Sequence, residues 1–308
     1  MGLAYRASAP GRCGILGNPS DIYGGKVLSC SLEARATCQL VLDDGVSLPD
    51  DLRLWTAATS RFPIVRDASV TWTSAIPRSS GLAGSTALLT ATIACVLAAH
   101  GRSHEASQDA GFAELVRDVE RHEAGVMCGY QDAYMTVHGG LQLMDFRGKH
   151  PVQPGPPATL QALDAGTPFL LVSTGVQRLS GSVHGPMSER WIRNEPGVRE
   201  AIASISKLAE PGAQALVDQE YGLLAELMSE NQALISELGG SGDAIDALVS
   251  TCKECGALGA KLAGAGMGGT VIALTLHPDD LEQRLRARGY SLFLRPQISA
   301  GVRFERGD

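Results

Sequence analysis

The stretch Gly84–His100, GSTALLTATIACVLAAH, is apolar on every side of a helical wheel. A helix of that kind has no face to give to water, so it must run through the middle of a core with other elements packed around it. Its most apolar part, Ala87–Ala99, covers 13 residues, well short of the roughly 20 that a bilayer span requires. The loop entering it is glycine-rich: Ile76-Pro77-Arg78-Ser79-Ser80-Gly81-Leu82-Ala83-Gly84-Ser85-Thr86. Free backbone N–H groups and the helix dipole favour an anion at such a start, and phosphate is the obvious one. Ser85 and Thr86 add hydroxyls, which serve equally well to cap their own helix. No Lys-Ser or Lys-Thr closes the loop, so it is not a P-loop.

Two more glycine-rich segments flank this one. Ala9–Gly25 (APGRCGILGNPSDIYGG) follows a short strand and carries Arg12, Asn18 and Asp21, with Lys26 just beyond. By itself it is either a polar binding loop or turn chemistry with solvated charges. Lys261–Gly269 (KLAGAGMGG) lets a backbone approach another body closely, or makes a tight hairpin turn.

The remaining periodicities predict strands at 3–8, 26–42, 70–76, 167–175 and 271–276, and a last one over SLFLRPQI. Helices are expected over 50–62, 105–124, 187–206, 211–238, 243–258 and 278–288. Four prolines and a glycine between Pro151 and Pro157 read as a linker. They divide the chain into 1–155 and 156–308, the second half alternating helices and strands as an α+β sandwich does.

The chain of 308 residues has a net charge of -7, which argues against a nucleic-acid binder but not against an anionic small molecule on a local basic cluster. The first residues hold no apolar signal core, and Arg6 breaks the myristoylation pattern. The expected location is cytoplasmic, without membrane or nucleic-acid partners, as monomer or homodimer. Seven scattered cysteines make no disulfide framework, and Cys252-Lys253-Glu254-Cys255 has no second pair or histidine at zinc spacing. Met127, Met135 and Met144 read as core filler, and Arg306-Gly307-Asp308 as a chance tripeptide.

The three loops, in this order, resemble the signature motifs of the GHMP kinases: PGR…GxxxD…GG, PxxxGLxSS and KxxGAGxGG. The resemblance runs from residue 9 to 269, nearly the whole chain. Gly17-Asn18-Pro19-Ser20-Asp21, Gln131-Asp132, Gly139-Gly140-Leu141, Met144-Asp145-Phe146, Ser182-Val183-His184 and Glu189-Arg190-Trp191 look like the glucuronokinase subgroup. Leu227–Gly269 looks closer to mevalonate kinases. Gly84 stands where the first Ser of the usual Ser-Ser pair would be.

The resemblance implies an α+β, two-domain fold. Its N-terminal half would be ribosomal S5 domain 2-like with a left-handed βαβ crossover, and its C-terminal half ferredoxin-like, with the active site between them. It implies ATP as donor, Mg²⁺ as cofactor and a sugar-like acceptor, D-glucuronate or a related sugar phosphorylated at the anomeric hydroxyl, with mevalonate or another sugar as the rival and a non-catalytic binding protein of the same fold as a third reading. Asp132 would be the catalytic base and Arg12 its cationic neighbour. Pro77, Ser79, Ser80, Gly81, Leu82, Ala83, Gly84, Ser85 and Thr86 would cradle the phosphates. Mg²⁺ would be held by Ser85 and a glutamate. Glu120, twelve positions before Asp132, matches the galactokinase spacing, and Glu123 the glucuronokinase-like alignment. Asn18, Asp21, Lys26 and Gly266 would contact the acceptor. Lys26, Arg178 and Arg190 are candidates to meet a uronate carboxylate, and His184 to donate to substrate.

Overall fold

The computed structural model describes residues 3–176, 181–264, 266 and 269–305, excepting the side chains of 181–184. Arg178, the His184 side chain, Ala265, Met267, Gly268 and the terminal tripeptide therefore lie outside the described residues.

Two long antiparallel strands, β1 (Leu3–Leu16) and β2 (Lys26–Leu42), form the centre of a six-stranded sheet. One half of β2 pairs with β3 (Ala68–Ser74). The other half pairs with β4 (Leu141–Asp145), which pairs in turn with β5 (Thr159–Ala162). A short C-terminal strand, β10 (Arg303–Phe304), closes the sheet against β1. Helices α1 (Arg53–Arg61), α2 (Gly84–Ala99), α3 (Ala110–His122) and α4 (Gln131–His138) follow in the same half. As its composition requires, α2 lies over β1 and β2 with α1, α3 and α4 against it. Thr90 and Thr92 survive in this dry helix because each hydroxyl donates to the carbonyl four residues back, at 2.8 Å.

The second half begins with β6 (Phe169–Ser173) and five helices: α5 (Gly181–Ile192), α6 (Val198–Lys207), α7 (Ala209–Val217), α8 (Tyr221–Glu237) and α9 (Asp243–Glu254). Then come β7 (Gly259–Leu262), β8 (Thr270–Leu274), α10 (Pro278–Ala287) and β9 (Phe293–Leu294). The antiparallel sheet runs β7-β8-β6-β9, a βαββαβ arrangement of the ferredoxin-like kind. Among the described residues no helix is long and apolar enough to cross a membrane.

Several elements depart from the sequence expectation. β1 does not stop at residue 8 but continues through Pro10-Gly11-Arg12. A register shift between Pro10 and Arg12 lets proline sit where a ladder N–H is not needed. The expected helices 187–206 and 211–238 each break in two, at Glu195-Pro196-Gly197 and at Gln219, whose φ is 60°. The expected strand 291–298 shrinks to two residues. The division at 155/156 does not coincide with the sheets, since β5 and β10 both belong to the N-terminal one.

The C-terminal segment is strapped to that sheet by Arg35. Its guanidinium donates to Ser8 Oγ (2.8 Å), the Ser8 carbonyl (3.0 Å), Ser299 Oγ (2.9 Å) and the carbonyls of Ala300 (2.7 Å) and Gly301 (2.8 Å). Arg35→Met should lower unfolding free energy by about 2–3 kcal/mol, because several carbonyls lose a charged donor together. Urea denaturation checks this.

Candidate active site

Arg12 sits on β1 with its guanidinium buried, and Asp132 occupies the first turn of α4. Arg12 Nε and Nη2 both donate to Asp132 Oδ1, at 2.8 and 2.5 Å. The third nitrogen, Nη1, donates to the Gly81 carbonyl at 2.6 Å. One planar cation thus ties the carboxylate to the glycine-rich loop, a span that a lysine's single nitrogen does not reproduce. Asp132 keeps Oδ2 free of this pair, and its side chain stays 26% exposed where Arg12 is 6% exposed.

The loop itself is held in an unusual backbone shape. Ser79 (φ 54°), Gly81 (φ 74°) and Ala83 (φ 61°) are all left-handed. Ala83 is the N-cap of α2 and offers no side-chain oxygen, so the opening N–H groups of the helix are not capped from within. Ser80 Oγ donates to the Pro77 carbonyl at 2.7 Å, and Arg12 N–H to the Leu82 carbonyl at 3.1 Å. Ser85 is exposed in the first turn. The departure at Gly84 costs no shape: a Cβ there would meet only Ile76, at 3.4 Å.

The third segment presses on this loop from the other sheet. A Cβ on Gly264 would come within 2.6 Å of the Gly81 carbonyl, and one on Gly269 within 2.7 Å of the Ser80 carbonyl. Thr270 Oγ1 donates to that same Ser80 carbonyl at 2.9 Å.

Thr86 donates to both oxygens of Glu120, at 2.9 and 3.0 Å. Glu120 is buried, and burial together with the nearby Asp132 carboxylate pushes its carboxyl up to about 7. A buried carboxylate beside a second one is a place a divalent cation would neutralise. Glu123 is elsewhere: it accepts from Arg61 of α1 at 2.6 Å. Of the two expected metal glutamates, the structure brings Glu120 to the site and turns Glu123 away.

The acceptor-side residues divide in the same manner. Asn18, Asp21, Gln131 and Gly264 line one small pocket with Arg12 and Asp132. Asp21 Oδ2 accepts the N–H groups of Tyr130 and Gln131 at 2.6 and 2.9 Å, so it caps α4 and thereby places Asp132. Both bonds fall on Oδ2, and Asp21 still lines the pocket. Lys26 is a correction. It does not line the pocket, and its ammonium pairs with Glu210 of α7 at 2.5 Å. Gly266 is another. Its φ is 107°, and a Cβ would lie 1.6 Å from the Gly240 carbonyl, so its glycine serves loop packing rather than the acceptor. Arg190 is engaged by Glu195 and the Leu238 carbonyl.

Lys261 was hidden from sequence reasoning. It reads there as the first letter of a loop, whereas it lies on β7, wholly buried, with Nζ 2.9 Å from Asn18 Oδ1. In the sequence it is the lysine that opens the KxxGAGxGG motif, with nothing to mark it as buried.

Family profiles for the GHMP kinases match both halves: the N-terminal domain over residues 53–140 and the C-terminal domain over residues 213–291. The chain belongs to the GHMP kinases, phosphotransferases with an alcohol group as acceptor and ATP as donor. It is similar to probable glucuronokinase 2 of Arabidopsis thaliana, with 27% identity over 91% of this chain and 87% of that protein. The mevalonate kinase of Aeropyrum pernix is 32% identical over 65% of this chain and 59% of its own. Among solved structures, Lactococcus lactis galactokinase complexed with galactose superposes with a TM-score of 0.78 at 18% identity, over 97% of this chain and 95% of that one. L. major mevalonate kinase in complex with R-mevalonate gives 0.75 at 18% identity, over 97% and 98%.

Arg12→Lys should lower kcat by roughly a hundredfold, since one ammonium replaces a fork that holds both the carboxylate and the loop. Steady-state kinetics with a melting curve check it, the melting temperature moving little. Gly266→Ala should instead destabilise by about 2 kcal/mol or more through backbone strain and contact with Gly240, read by urea denaturation.

Proposed function

We propose that this chain is a sugar kinase that moves the γ-phosphate of ATP to the anomeric hydroxyl of D-glucuronate. The observation that carries the kinase chemistry is the Arg12 guanidinium, which joins Asp132 to the carbonyl of Gly81. The choice of acceptor is supported by similarity to the glucuronokinases of Arabidopsis thaliana over 91% and 73% of the chain.

Phosphoryl transfer asks a protein for alignment and charge neutralisation more than for covalent chemistry. The phosphates would lie on the backbone N–H groups opening α2, where the left-handed turn at Ala83 aims them outward. Pro77, Ser79, Ser80, Gly81 and Leu82 shape that cradle. An acceptor hydroxyl in the adjoining pocket would donate to Asp132 and pass its proton there as the O–P bond forms. Arg12 donates to the carboxylate and would stand beside the charge that develops on the transferring group. Ser85 and Glu120 are the residues that would hold Mg²⁺, with Thr86 orienting Glu120. The ion would supply neutralisation of the phosphate oxygens. It fits because magnesium needs only one or two carboxylates beside water and phosphate.

The acceptor is tested by coupled ADP release with D-glucuronate, D-galacturonate, D-galactose and mevalonate. Glucuronate should turn over fastest, yielding a sugar 1-phosphate by ³¹P NMR. Turnover of mevalonate with both uronates inert would replace this acceptor with the rival one. Asp132→Asn should lower kcat by about 10²–10⁴-fold while ATP affinity by calorimetry stays within a few-fold. An enzyme of full rate would remove Asp132 from the role of base. Glu120→Gln should raise the Mg²⁺ concentration needed for half-maximal rate by tenfold or so, and Glu123→Gln should leave it unchanged.

A further inference from the structure

A buried ammonium without a carboxylate is costly, and a chain keeps one where it holds something in place. Lys261 is 0% exposed. Among the described residues no acidic group pairs with it, and the titratable groups that face it are Cys13 and Arg12 of β1. Its Nζ donates to Asn18 Oδ1 at 2.9 Å and to the Leu262 carbonyl at 2.5 Å. Asn18 Nδ2 in turn donates to the Gly264 carbonyl at 2.9 Å. Around this centre, Asn231 of α8 accepts from the Gly17 N–H at 3.0 Å. The first glycine-rich segment is thereby pinned to the C-terminal half.

The chemistry of this arrangement is directional. The two ends of an asparagine amide are nearly the same shape, so packing alone does not decide which way it points. A lysine amine donating on one side demands the oxygen there, and the Gly264 carbonyl on the other demands the nitrogen. With Oδ1 turned to Lys261 and one Nδ2 hydrogen given to Gly264, the second Nδ2 hydrogen is what Asn18 has left to offer the pocket it shares with Asp132. We propose that Lys261 is a positioning residue for the acceptor, fixing Asn18 as a donor toward an acceptor oxygen, hydroxyl or carboxylate, next to Asp132. This rests on the reading of that pocket as the acceptor site. Burial supports the arrangement electrically as well. It pulls the ammonium down to about 7, and the neutral amine still has two N–H donors for its two oxygen partners.

The test is Lys261→Met, which keeps the length of the side chain and removes the donor. The KM for D-glucuronate should rise about tenfold, the worth of one well-placed hydrogen bond, with the KM for ATP within twofold. The melting temperature at pH 6 should hold or rise, because an unpaired buried charge has been replaced by an apolar chain. In an Asn18→Ala background the same substitution should add nothing to the KM. A melting temperature that falls while both KM values move together, or effects that multiply in the double variant, would overturn the proposal and leave Lys261 a structural residue.

A second readout does not depend on the acceptor. With ¹⁵N-asparagine labelling, the Asn18 side-chain amide should shift with a midpoint near pH 7 in the wild type and not in Lys261→Met. An Asn18 amide whose resonances are the same in the wild type and in Lys261→Met would also overturn it. The unfolded chain binds the lysine proton up to about 10.5, whereas the folded one releases it near 7. The wild type should therefore gain stability relative to Lys261→Met as pH rises through that window. If glucuronate is not phosphorylated by the wild type, the acceptor assignment fails, and the amide titration still decides the role of Lys261.

Discussion

The site depends on a single planar cation that satisfies two partners from different parts of the chain. Arg12 reaches the Asp132 carboxylate at the head of α4 and the Gly81 carbonyl in the loop that opens α2. Both partners are themselves positioned by local devices. Asp21 caps α4 so that Asp132 is presented from a fixed first turn. Left-handed Ser79, Gly81 and Ala83 fold the loop over Arg12. A guanidinium can do this because its donors diverge in one rigid plane. Remove the plane and the carboxylate and the anion cradle lose their common reference.

The second constraint is closeness of backbones. Gly264 and Gly269 bring the hairpin between β7 and β8 against Ser80 and Gly81 at distances that no side chain allows. The C-terminal half thus packs on the glycine-rich loop, and through Asn18 and Lys261 it also sets one wall of the neighbouring pocket. The two halves are not independent modules that happen to touch. β5 and β10 cross over to the N-terminal sheet, and Arg35 binds the returning segment. Relative movement of the halves would disturb the glycine-rich loop and the neighbouring pocket together.

Much of this was legible in the sequence, for identifiable reasons. A helix apolar on all sides can only be central, and α2 spans the expected residues almost to the last one. Arg12, Asp132 and the loop could be named because motif spacing carries chemistry, and the structure brings these together. The sequence kept both Glu120 and Glu123 open: three positions separate a carboxylate facing Thr86 from one facing Arg61. Lys26 and Gly266 were misjudged because charge and glycine content say nothing of what lies opposite. One faces Glu210, the other the Gly240 carbonyl. The capping duty of Asp21 was not legible, because a carboxylate does not reveal in sequence that two backbone N–H groups converge on it. Lys261 escaped for a converse reason: a lysine opening a glycine run looks solvated, and its burial comes from packing against Asn18 and β1, which lie far off in the sequence.

The central claim is geometric, and a crystal structure with a non-hydrolysable ATP analogue and D-glucuronate measures it directly. The account predicts the γ-phosphate on the N–H groups at the start of α2. It predicts the anomeric hydroxyl within hydrogen-bond reach of Asp132 and in line with that phosphorus. Phosphates bound away from Ser85, or a sugar whose hydroxyls all point away from Asp132, would contradict it.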